Sequence, residues 1–324
     1  MAKFSIGTFN LYNLQLAGAL VYENRLYTEN TYDRKVGWVG AQIRRMKCDI
    51  LGFQEVWSAE ALQDAAARSG QYSPEQVFVP RPEGVADGST IAVGLATRLP
   101  VRTPPVAVWD FPDGMCFDAD GVSFDIKQFS RPVLACELEL PGEILTKVYV
   151  AHLKSKRPLF NDGEDKDDPR IRAAGYARAL LVRAAEAAAL RCLLLDDLTR
   201  SDTPVVVIGD LNDGVTAVTT QIIAGDQPWR RAARAKKEAA WDILMYSTYE
   251  LQAMRSYRDV YYTHIFNRRY ETLDHILVSE EFVPFNPDRI ASFVDMTVLN
   301  DHVDDFSDRE RSDHAQVIAH FRTS

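Results

Sequence analysis

The chain has 324 residues, of which 46% are hydrophobic and 26% are charged, and its formal net charge at pH 7 is −9. This composition is that of a globular protein and excludes a disordered or fibrous chain. The acidic balance argues against a protein held on nucleic acid by bulk electrostatics, although it leaves room for a nuclease with a local basic patch.

The sequence carries no signal for a membrane or for a secretion pathway. No run approaches the roughly 18 apolar residues of a membrane span, and the amino-terminal residues lack an apolar signal region. We therefore expect a cytoplasmic protein without a membrane segment, and secretion stays open if a leader has been removed. The cysteines form no Cys-x-x-Cys pair, which argues against zinc; they are Cys48, Cys116, Cys136 and Cys192.

The beginning of the chain predicts a strand, a helix and a second strand parallel to the first. Residues 4–11 alternate toward Asn10 as a strand does, and apolar residues at helical spacing occupy 30–47. Residues 49–55 form a second buried strand, which ends in the carboxylate of Glu55. Each strand therefore ends in a polar side chain, and such exits are where open α/β sheets build their sites.

The next part of the chain has a weaker pattern. A helix is predicted over 59–69 and a strand over 90–97. Residues 101–130 are rich in Pro, Asp and Gly, which predicts loops and ragged strands. Strands are predicted over 132–140 and 144–151, on either side of a Pro-Gly turn, so these two should form a hairpin.

The second hairpin strand ends in a basic stretch that begins with His152. An acidic loop over 161–168 leads to a proline that suits a first helical turn, and a long helix follows. Consecutive β-branched residues then predict a strand buried on both faces over 205–208. This strand runs directly into Asp210 and Asn212, which are either site residues or parts of a turn that serve only their own backbone.

The last part of the chain combines a helix, a hairpin and a final strand. We expect helix within 229–256, a hairpin over 261–279 that contains Asp274, an acidic loop over 295–310 and a final strand over 316–321.

The second half of the chain repeats the order strand, helix, parallel strand found in the first half. Two such halves packed sheet on sheet place four sets of strand exits at one edge. No linker, low-complexity run or change of composition divides the sequence, so we expect a single catalytic domain over residues 1–324. The polar residues at the exits are Asn10, Glu55, His152, Asp210, Asn212, Asp274, Asp313 and His314.

These side chains are the types that metal-assisted attack of water on a phosphate ester requires. Carboxylates hold Mg²⁺ through oxygen, and a bound metal polarises the phosphoryl oxygen and stabilises the leaving oxyanion. A histidine oriented by an aspartate accepts a proton from water near neutral pH. Amides and cations hold the other phosphate oxygens.

At these residues the sequence resembles the endonuclease/exonuclease/phosphatase family, which includes deoxyribonuclease I, apurinic endonucleases, sphingomyelinases and inositol-polyphosphate phosphatases. The matching stretches occur in the family's order, and they are Thr8-Phe9-Asn10, Gln54-Glu55, His152-Leu153-Lys154-Ser155, Gly209-Asp210-Leu211-Asn212, Leu273-Asp274-His275 and Ser312-Asp313-His314. The resemblance implies an α/β fold, a four-layer α/β/β/α sandwich with two mixed sheets packed face to face, as in deoxyribonuclease I. In motif style the chain looks nearest to bacterial nucleases of this family.

The resemblance also implies which residues hold the metal. Glu55 is the main ligand of Mg²⁺ or Mn²⁺, and Asn10 and Asp313 lie near the same ion. Asp210 orients or activates the water, with a second ion as the alternative. The number of metal ions that act, one or two, is left open.

The catalytic roles that the resemblance implies fall on four other residues. His314 is the general base, and Asp274 is paired with it. His152 and Asn212 bind the scissile phosphate.

Further residues are predicted from their neighbourhood in the sequence. Lys154 and Arg131 are expected to contact the substrate. Lys154 lies in the basic stretch that begins with His152, and Arg131 lies just before the strand predicted over 132–140. The arginines of the helices within 170–191 and 230–237 are expected on solvated faces, and DNA binding is the less favoured alternative. The remaining histidines are expected to be structural; they are His264, His275, His302 and His320.

The sequence therefore predicts a divalent-metal-dependent phosphodiesterase, and a nuclease that hydrolyses DNA or RNA by in-line attack of an activated water is the preferred interpretation. The alternative is a phosphatase or phosphodiesterase for a small molecule or lipid headgroup, which the acidic charge favours. A non-catalytic interaction protein on the same fold is disfavoured, because every matched position carries a residue able to act. Nucleic acid is the expected partner, as substrate, and no protein partner can be deduced.

Overall fold

The computed structural model describes most of the chain. The described residues are 2–22, 25–119, 122–199, 203–226, 228, 231, 233–256, 261–304 and 310–323. In chain order the strands are β1 Lys3–Leu14, β2 Leu20–Val21, β3 Arg25–Leu26, β4 Ile50–Val56, β5 Val77–Phe78, β6 Ala92–Thr97, β7 Val101–Asp110, β8 Phe117–Ala119, β9 Val122–Phe124, β10 Gln128–Leu140, β11 Ile144–His152, β12 Val205–Asp210, β13 Tyr246–Ser247, β14 His264–Phe266, β15 Arg269–Glu271, β16 Asp274–Val278, β17 Ala291–Leu299 and β18 Gln316–Thr323. The helices are α1 Glu29–Met46, α2 Ala59–Ser69, α3 Pro169–Leu198, α4 Val218–Ala224, α5 Arg234–Trp241 and α6 Thr248–Ala253.

Two mixed sheets of six strands each form the centre of the molecule. The first has the order β17-β18-β1-β4-β6-β5, and the second has the order β13-β16-β12-β11-β10-β7. β1 runs parallel to β4, with Asn10 opposite Gln54. β11 runs parallel to β12, with His152 opposite Asp210. The predicted order of strand, helix and parallel strand is therefore confirmed in both halves.

The two sheets pack face to face through a shared apolar core. Ile6 and Ile50 of the first sheet belong to the same buried cluster as Val150 and Ile208 of the second. A Cβ added to Gly52 would lie 2.8 Å from a methyl carbon of Ile208, so the sheets approach closely at this point. Each such aliphatic side chain contributes about 1.5–3 kcal/mol by its burial.

Helices cover the outer face of each sheet. α1 packs on the first sheet in a buried cluster that contains Val39 and Phe53. α3 packs on the second sheet in a cluster that contains Leu190 and Val207. The layers are therefore helix, sheet, sheet and helix, which confirms the predicted four-layer α/β/β/α sandwich with two mixed sheets.

The prediction of loops and ragged strands over 101–130 is right about ragged strands and wrong about loops at both ends of the segment. β7 is a ten-residue strand that pairs with β10 through three register irregularities, and β10 itself begins at Gln128. β7 lies at the edge of its sheet and contains Pro104 and Pro105, with most of its residues at least partly exposed. Proline is tolerated on edge strands, where the apolar alternation is weak, and this hid the strand from the pattern.

The predicted hairpin over 261–279 is only partly correct. β14 and β15 do form a hairpin. The following strand, β16, leaves them and pairs with β12, which places Asp274 opposite Asp210. All five residues of β16 are buried, as an inner strand of a sheet requires.

Two further segments differ from the prediction. Residues 229–256 contain two short helices, α5 and α6, with β13 between them, and Trp229 and Arg230 lie outside the described residues. The start of the acidic loop predicted over 295–310 is strand β17. Residues 305–309 lie outside the described residues.

Of the described helices, none is long and apolar enough to cross a membrane. The four cysteines are free thiols, and Cys48 and Cys136 are buried as small core residues. The assignment of residues 1–324 to one catalytic domain stays a prediction.

Candidate active site

A cavity of about 680 Å³ lies where the strands of both sheets end. Most of the predicted site residues line it, and these are Glu55, Arg131, His152, Asp210, Asn212, Asp313 and His314. Asn10 and Asp274 lie directly behind the wall and are hydrogen-bonded to it. Lys154 is not part of the wall. The strand exits of the two sheets thus meet at one edge, as the order of elements predicts.

His314 and Asp274 form a buried pair at this edge. Nδ1 of His314 lies 2.8 Å from Oδ2 of Asp274, and Asp274 is fully buried. Burial lowers the pKa of the His314 imidazole, but the carboxylate of Asp274, joined by Asp210 and Asp313, outweighs burial and raises this pKa well above its ordinary value. Because Asp274 occupies Nδ1, Nε2 is the nitrogen left to meet a substrate or a water.

Asp210 connects this pair to the neighbouring strand exits. Its Oδ2 accepts a hydrogen bond of 3.1 Å from Nδ2 of Asn10, and its Oδ1 accepts the backbone N–H of Asn212 at 2.8 Å. The same Oδ2 lies 3.6 Å from Nε2 of His152 and 3.9 Å from Nε2 of His314. Burial raises the pKa of Asp210, although the nearby imidazole of His314 acts in the opposite direction.

Local backbone geometry holds these strand exits in place. At Gly209 an added Cβ would lie 1.9 Å from the carbonyl oxygen of Ala151, so only glycine allows β11 and β12 to approach here. Asn212 and Glu55 adopt left-handed φ values of 55° and 58°. Asparagine tolerates this region, whereas for glutamate it is an uncommon conformation that the surrounding packing must hold. Both turns direct a polar side chain into the cavity.

Glu55 and Asp313 provide a donor set that fits a divalent cation. Burial raises the pKa of Glu55, the charge of Asp313 raises it further, and a hydrogen bond from Asn10 lowers it. Oε2 of Glu55 is buried and has no hydrogen-bond partner among the described residues. Two carboxylates that repel each other, one with an unsatisfied buried oxygen, match the oxygen ligands that Mg²⁺ prefers.

Asn10 orients carboxylates in this structure. Its Nδ2 donates to Asp210, while its Oδ1 accepts the backbone N–H of Tyr12 at 3.0 Å. The amide oxygen already accepts this hydrogen bond, and the position of Asn10 near an ion stays a prediction.

His264 lines the cavity as well, although the sequence analysis expected it to be structural. Its ring centroid lies 4.8 Å from that of His314, and its Nε2 lies 3.9 Å from Oδ2 of Asp313. One ligand atom from each of these three residues lies within 4.8 Å of the others, which is a spacing that a metal ion can span. Its position in the stretch Tyr262-Thr263-His264 was the signal available in the sequence.

Two other histidines have the expected structural contacts. Nε2 of His275 lies 2.8 Å from the carbonyl oxygen of Asp213. Nε2 of His302 lies 3.0 Å from the carbonyl oxygen of His314. Both bonds fix backbone next to the cavity.

Cations line one side of the cavity, and they are Arg131, Lys156, Arg157, Lys166 and Arg172. Arg131, which the sequence analysis expects to contact the substrate, lines the cavity. Its guanidinium donates to the carbonyl oxygen of Leu153 at 3.1 Å. Lys154 instead turns into its own loop, where Nζ lies 3.3 Å from the carbonyl oxygens of Ser155 and Arg157. Burial lowers the pKa of Lys154 to about 8, and the neighbouring Arg131 adds to this effect.

Two buried charges of α3 hold this side of the cavity from behind. The carboxylate of Glu186 accepts the backbone N–H groups of Ser130 at 2.7 Å and Lys154 at 2.5 Å. Arg183 donates to the carbonyl oxygen of Lys154 at 3.1 Å and to Asp213 at 3.2 Å. Arg183 is only 4% exposed, so the expectation of a solvated face was wrong for this arginine.

The chain matches a family model and is similar in fold to several solved structures. The family model described as Endonuclease/Exonuclease/phosphatase family matches residues 7–314. Among solved structures, the endonuclease/exonuclease/phosphatase from Bacteroides vulgatus superimposes with a TM-score of 0.59 at 14% identity and covers 100% of both chains. The human Nocturnin catalytic domain with bound sulfate anion has a TM-score of 0.57 at 16% identity and covers 99% of this chain and 95% of its own. D. rerio TDP2 complexed with single strand DNA product has a TM-score of 0.56 at 14% identity and covers 100% of both chains. Among curated proteins, none matches the sequence.

Proposed function

The chain belongs to the Endonuclease/Exonuclease/phosphatase family, and from this premise we propose that it is a divalent-metal-dependent phosphodiesterase that cleaves DNA or RNA. The family consists of metal-dependent hydrolases of phosphate esters. The observation that carries the proposal is the buried pair of His314 and Asp274, which lies beside the same cavity as the carboxylates of Glu55 and Asp313.

Glu55 and Asp313 are the residues that would hold the cation. The buried, unpartnered Oε2 of Glu55 and the mutual repulsion of the two carboxylates are both relieved by a positive charge between them. When bound there, Mg²⁺ or Mn²⁺ polarises the phosphoryl oxygen and stabilises the leaving oxyanion.

His314 is the proton acceptor in this proposal. Its pKa is raised well above the ordinary value because the carboxylates of Asp274, Asp210 and Asp313 surround it, so its neutral form is a strong base. The neutral imidazole then takes a proton at Nε2 from the water that attacks phosphorus, while Asp274 stabilises the imidazolium that forms. Asp210 lies 3.9 Å from that nitrogen and orients the water.

The residues that would bind the phosphate lie beside this unit, since Nε2 of His152 is 3.6 Å from Oδ2 of Asp210. His152 is fully buried, and burial together with the charge of Arg131 lowers its pKa well below the ordinary value, so it acts as a neutral hydrogen-bonding group. Arg131 supplies positive charge beside it. Asn212 is fixed next to both by a bond of 2.9 Å from its Nδ2 to the carbonyl oxygen of Leu153.

The distribution of charge supports nucleic acid as the substrate. The chain as a whole is acidic, yet five cations line one side of this cavity. Such a local patch attracts a phosphate backbone without the need for a basic protein. One protein of the same fold, D. rerio TDP2, is complexed with single strand DNA product, which agrees with this choice.

A hydrolysis panel tests the proposal. Wild-type protein and His314→Ala are incubated with Mg²⁺ or Mn²⁺ and, separately, with single-stranded DNA, RNA, plasmid DNA, methyl p-nitrophenyl phosphate and p-nitrophenyl phosphate. We expect wild-type cleavage of at least one nucleic acid and of the small diester, and loss of both in the variant. Hydrolysis of p-nitrophenyl phosphate without cleavage of any nucleic acid would instead support the small-molecule phosphatase. If the wild-type protein hydrolyses none of these esters, both the phosphodiesterase and the phosphatase are contradicted.

A further inference from the structure

Part of the cavity wall lies beyond the metal centre, in the loop after β11 and the first turns of α3. It carries Phe160, Lys166, Arg172 and Tyr176, which we name the flanking subsite. We propose that the flanking subsite binds the nucleotide next to the scissile phosphate and that it selects single-stranded nucleic acid. This inference rests on the proposed function and specifies the form of its substrate.

The flanking subsite is built by close packing of the loop on the helix. A Cβ added to Gly175 would lie 2.8 Å from the carbonyl oxygen of Leu159, so the loop contacts the helix backbone directly. The N–H of Leu159 donates to the carbonyl oxygen of Gly175 at 3.0 Å, and Arg178 donates to the carbonyl oxygen of Leu159 at 3.2 Å. Phe160 and Tyr176, the residues that follow these two contact points, are thereby brought to the same cavity.

The acidic loop over 161–168, which has no role in the metal centre, serves this construction. Glu164 accepts two hydrogen bonds of 2.6 and 2.7 Å from Arg178, and this pairing lowers the pKa of Glu164 to about 2. Asp168 caps α3 by accepting a backbone N–H of its first turn at 2.7 Å. None of the carboxylates of this loop lines the cavity, whereas its lysine, Lys166, does.

Lys166 and Arg172 offer positive charge for a second phosphate. Arg172 donates to the carbonyl oxygen of Lys166 at 3.2 Å, which keeps the two residues together. Within the part of the chain that the structure describes, neither of them forms an ion pair, whereas Lys156 on the same side is bound to Glu271 at 2.7 Å. Two adjacent cations repel each other, and an anionic phosphate between them removes that repulsion.

The aromatic rings and the size of the cavity favour an unpaired strand. Tyr176 is 49% exposed, and Phe160 lines the same cavity. Exposed rings next to cations bind single strands, because each unpaired base offers a face for stacking. The cavity volume of about 680 Å³ suits one or two nucleotides. In a duplex the bases are paired and stacked on one another, so their faces are not available to Tyr176.

The experiment compares two substrates in four variants. For each protein, kcat/KM for a short single-stranded oligonucleotide is divided by kcat/KM for methyl p-nitrophenyl phosphate, which has no flanking nucleotide. We expect Arg172→Ala and Tyr176→Ala to lower this ratio about tenfold each, mainly through KM. Arg170→Ala and Leu180→Ala are matched controls on the same helix, since both residues are exposed and neither lines the cavity, and they should keep the wild-type ratio.

Annealing the oligonucleotide to its complement should slow wild-type cleavage by at least the same factor. An unchanged ratio in both Arg172→Ala and Tyr176→Ala, or equal cleavage of duplex and single strand, overturns the flanking subsite while leaving the proposed function intact. If the wild-type protein hydrolyses neither substrate, the proposed function fails and the subsite fails with it. All four side chains are exposed, so the variants are expected to fold, which circular dichroism can verify.

Discussion

The sharpest prediction concerns Asp274→Asn, which removes one charge from a fully buried pair and changes its shape very little. Oδ2 of Asp274 lies 2.8 Å from Nδ1 of His314. Two unit charges about 4 Å apart interact by about 4 kcal/mol at an effective dielectric constant near 20, and the imidazolium formed during proton transfer loses this stabilisation in the variant. We therefore expect kcat to fall about 10³-fold, within the range found for removal of general base catalysis.

The assay is the initial rate of hydrolysis of methyl p-nitrophenyl phosphate with saturating Mn²⁺. Asp301→Asn serves as the control, because Asp301 is an exposed carboxylate in a surface ion pair with Arg45. The variant should also shift the acidic limb of the pH profile to lower pH, since Asp274 raises the pKa of His314. A variant that folds and retains kcat within tenfold of wild type would falsify the assignment of this pair as the proton-accepting unit.

Three further predictions test the scaffold around the site. Gly209→Ala should destabilise the protein by about 3 kcal/mol or more in urea unfolding, because its Cβ collides with a backbone oxygen at 1.9 Å. The control is Gly214→Ala, where a Cβ meets nothing within 4 Å, and it should change stability by less than about 0.5 kcal/mol. Equal effects of the two variants would contradict the close approach of the strands at Gly209. Glu186→Gln should lower the free energy of unfolding by about 1–3 kcal/mol, because an amide cannot accept both backbone N–H groups that the carboxylate binds. An unfolding curve identical to that of wild type would show that these hydrogen bonds contribute nothing to stability. The folded pKa of Lys154 is about 8 and its ordinary value is 10.5, so the cost of burying its charge is fully present below pH 8 and is relieved as the pH rises toward 10.5. After allowance for its partial exposure, the free energy of unfolding of wild type should rise by about 1 kcal/mol relative to Lys154→Gln between pH 7.5 and 9.5. A loss of stability relative to Lys154→Gln over that interval contradicts the lowered pKa.

The strand exits could be predicted because apolar runs and polar exits are local signals. Glu55 and Asp210 each follow an uninterrupted buried strand, and a side chain at such an exit is held by the strand behind it. The parallel pairing of these strands with the ones that carry Asn10 and His152 followed from the intervening helices. These local signals were sufficient to predict the two parallel strand pairs and most of the polar strand exits that line the cavity.

The contacts that escaped prediction join distant segments of the chain. The hairpin pattern over 261–279 gave no reason for β16 to leave β15 and join β12, although this step places Asp274 next to Asp210. The same departure leaves His264 on a separate short strand beside His314. A histidine pattern within one segment cannot reveal either neighbour.

The inward charges of α3 were hidden for a different reason. Alanines occupy so much of this helix that apolar residues occur on every face, and the pattern does not show which face is buried. Arg183 and Glu186 therefore looked like ordinary surface charges, whereas both are buried behind the cavity wall. The ammonium of Lys154 turns back into its own loop, which its sequence neighbours did not indicate, and its contact with the substrate stays a prediction.

The central claim is that Glu55 and His314 act together in metal-dependent hydrolysis of a phosphodiester. The most direct test measures cleavage of a single-stranded oligonucleotide by wild type, Glu55→Ala and His314→Ala in excess Mg²⁺, with a parallel wild-type sample in EDTA. We predict that both variants keep their circular dichroism spectra and lose about 10²–10⁴-fold in rate, and that EDTA abolishes wild-type cleavage. Wild-type-like turnover in either folded variant, or full activity in EDTA, would contradict the claim.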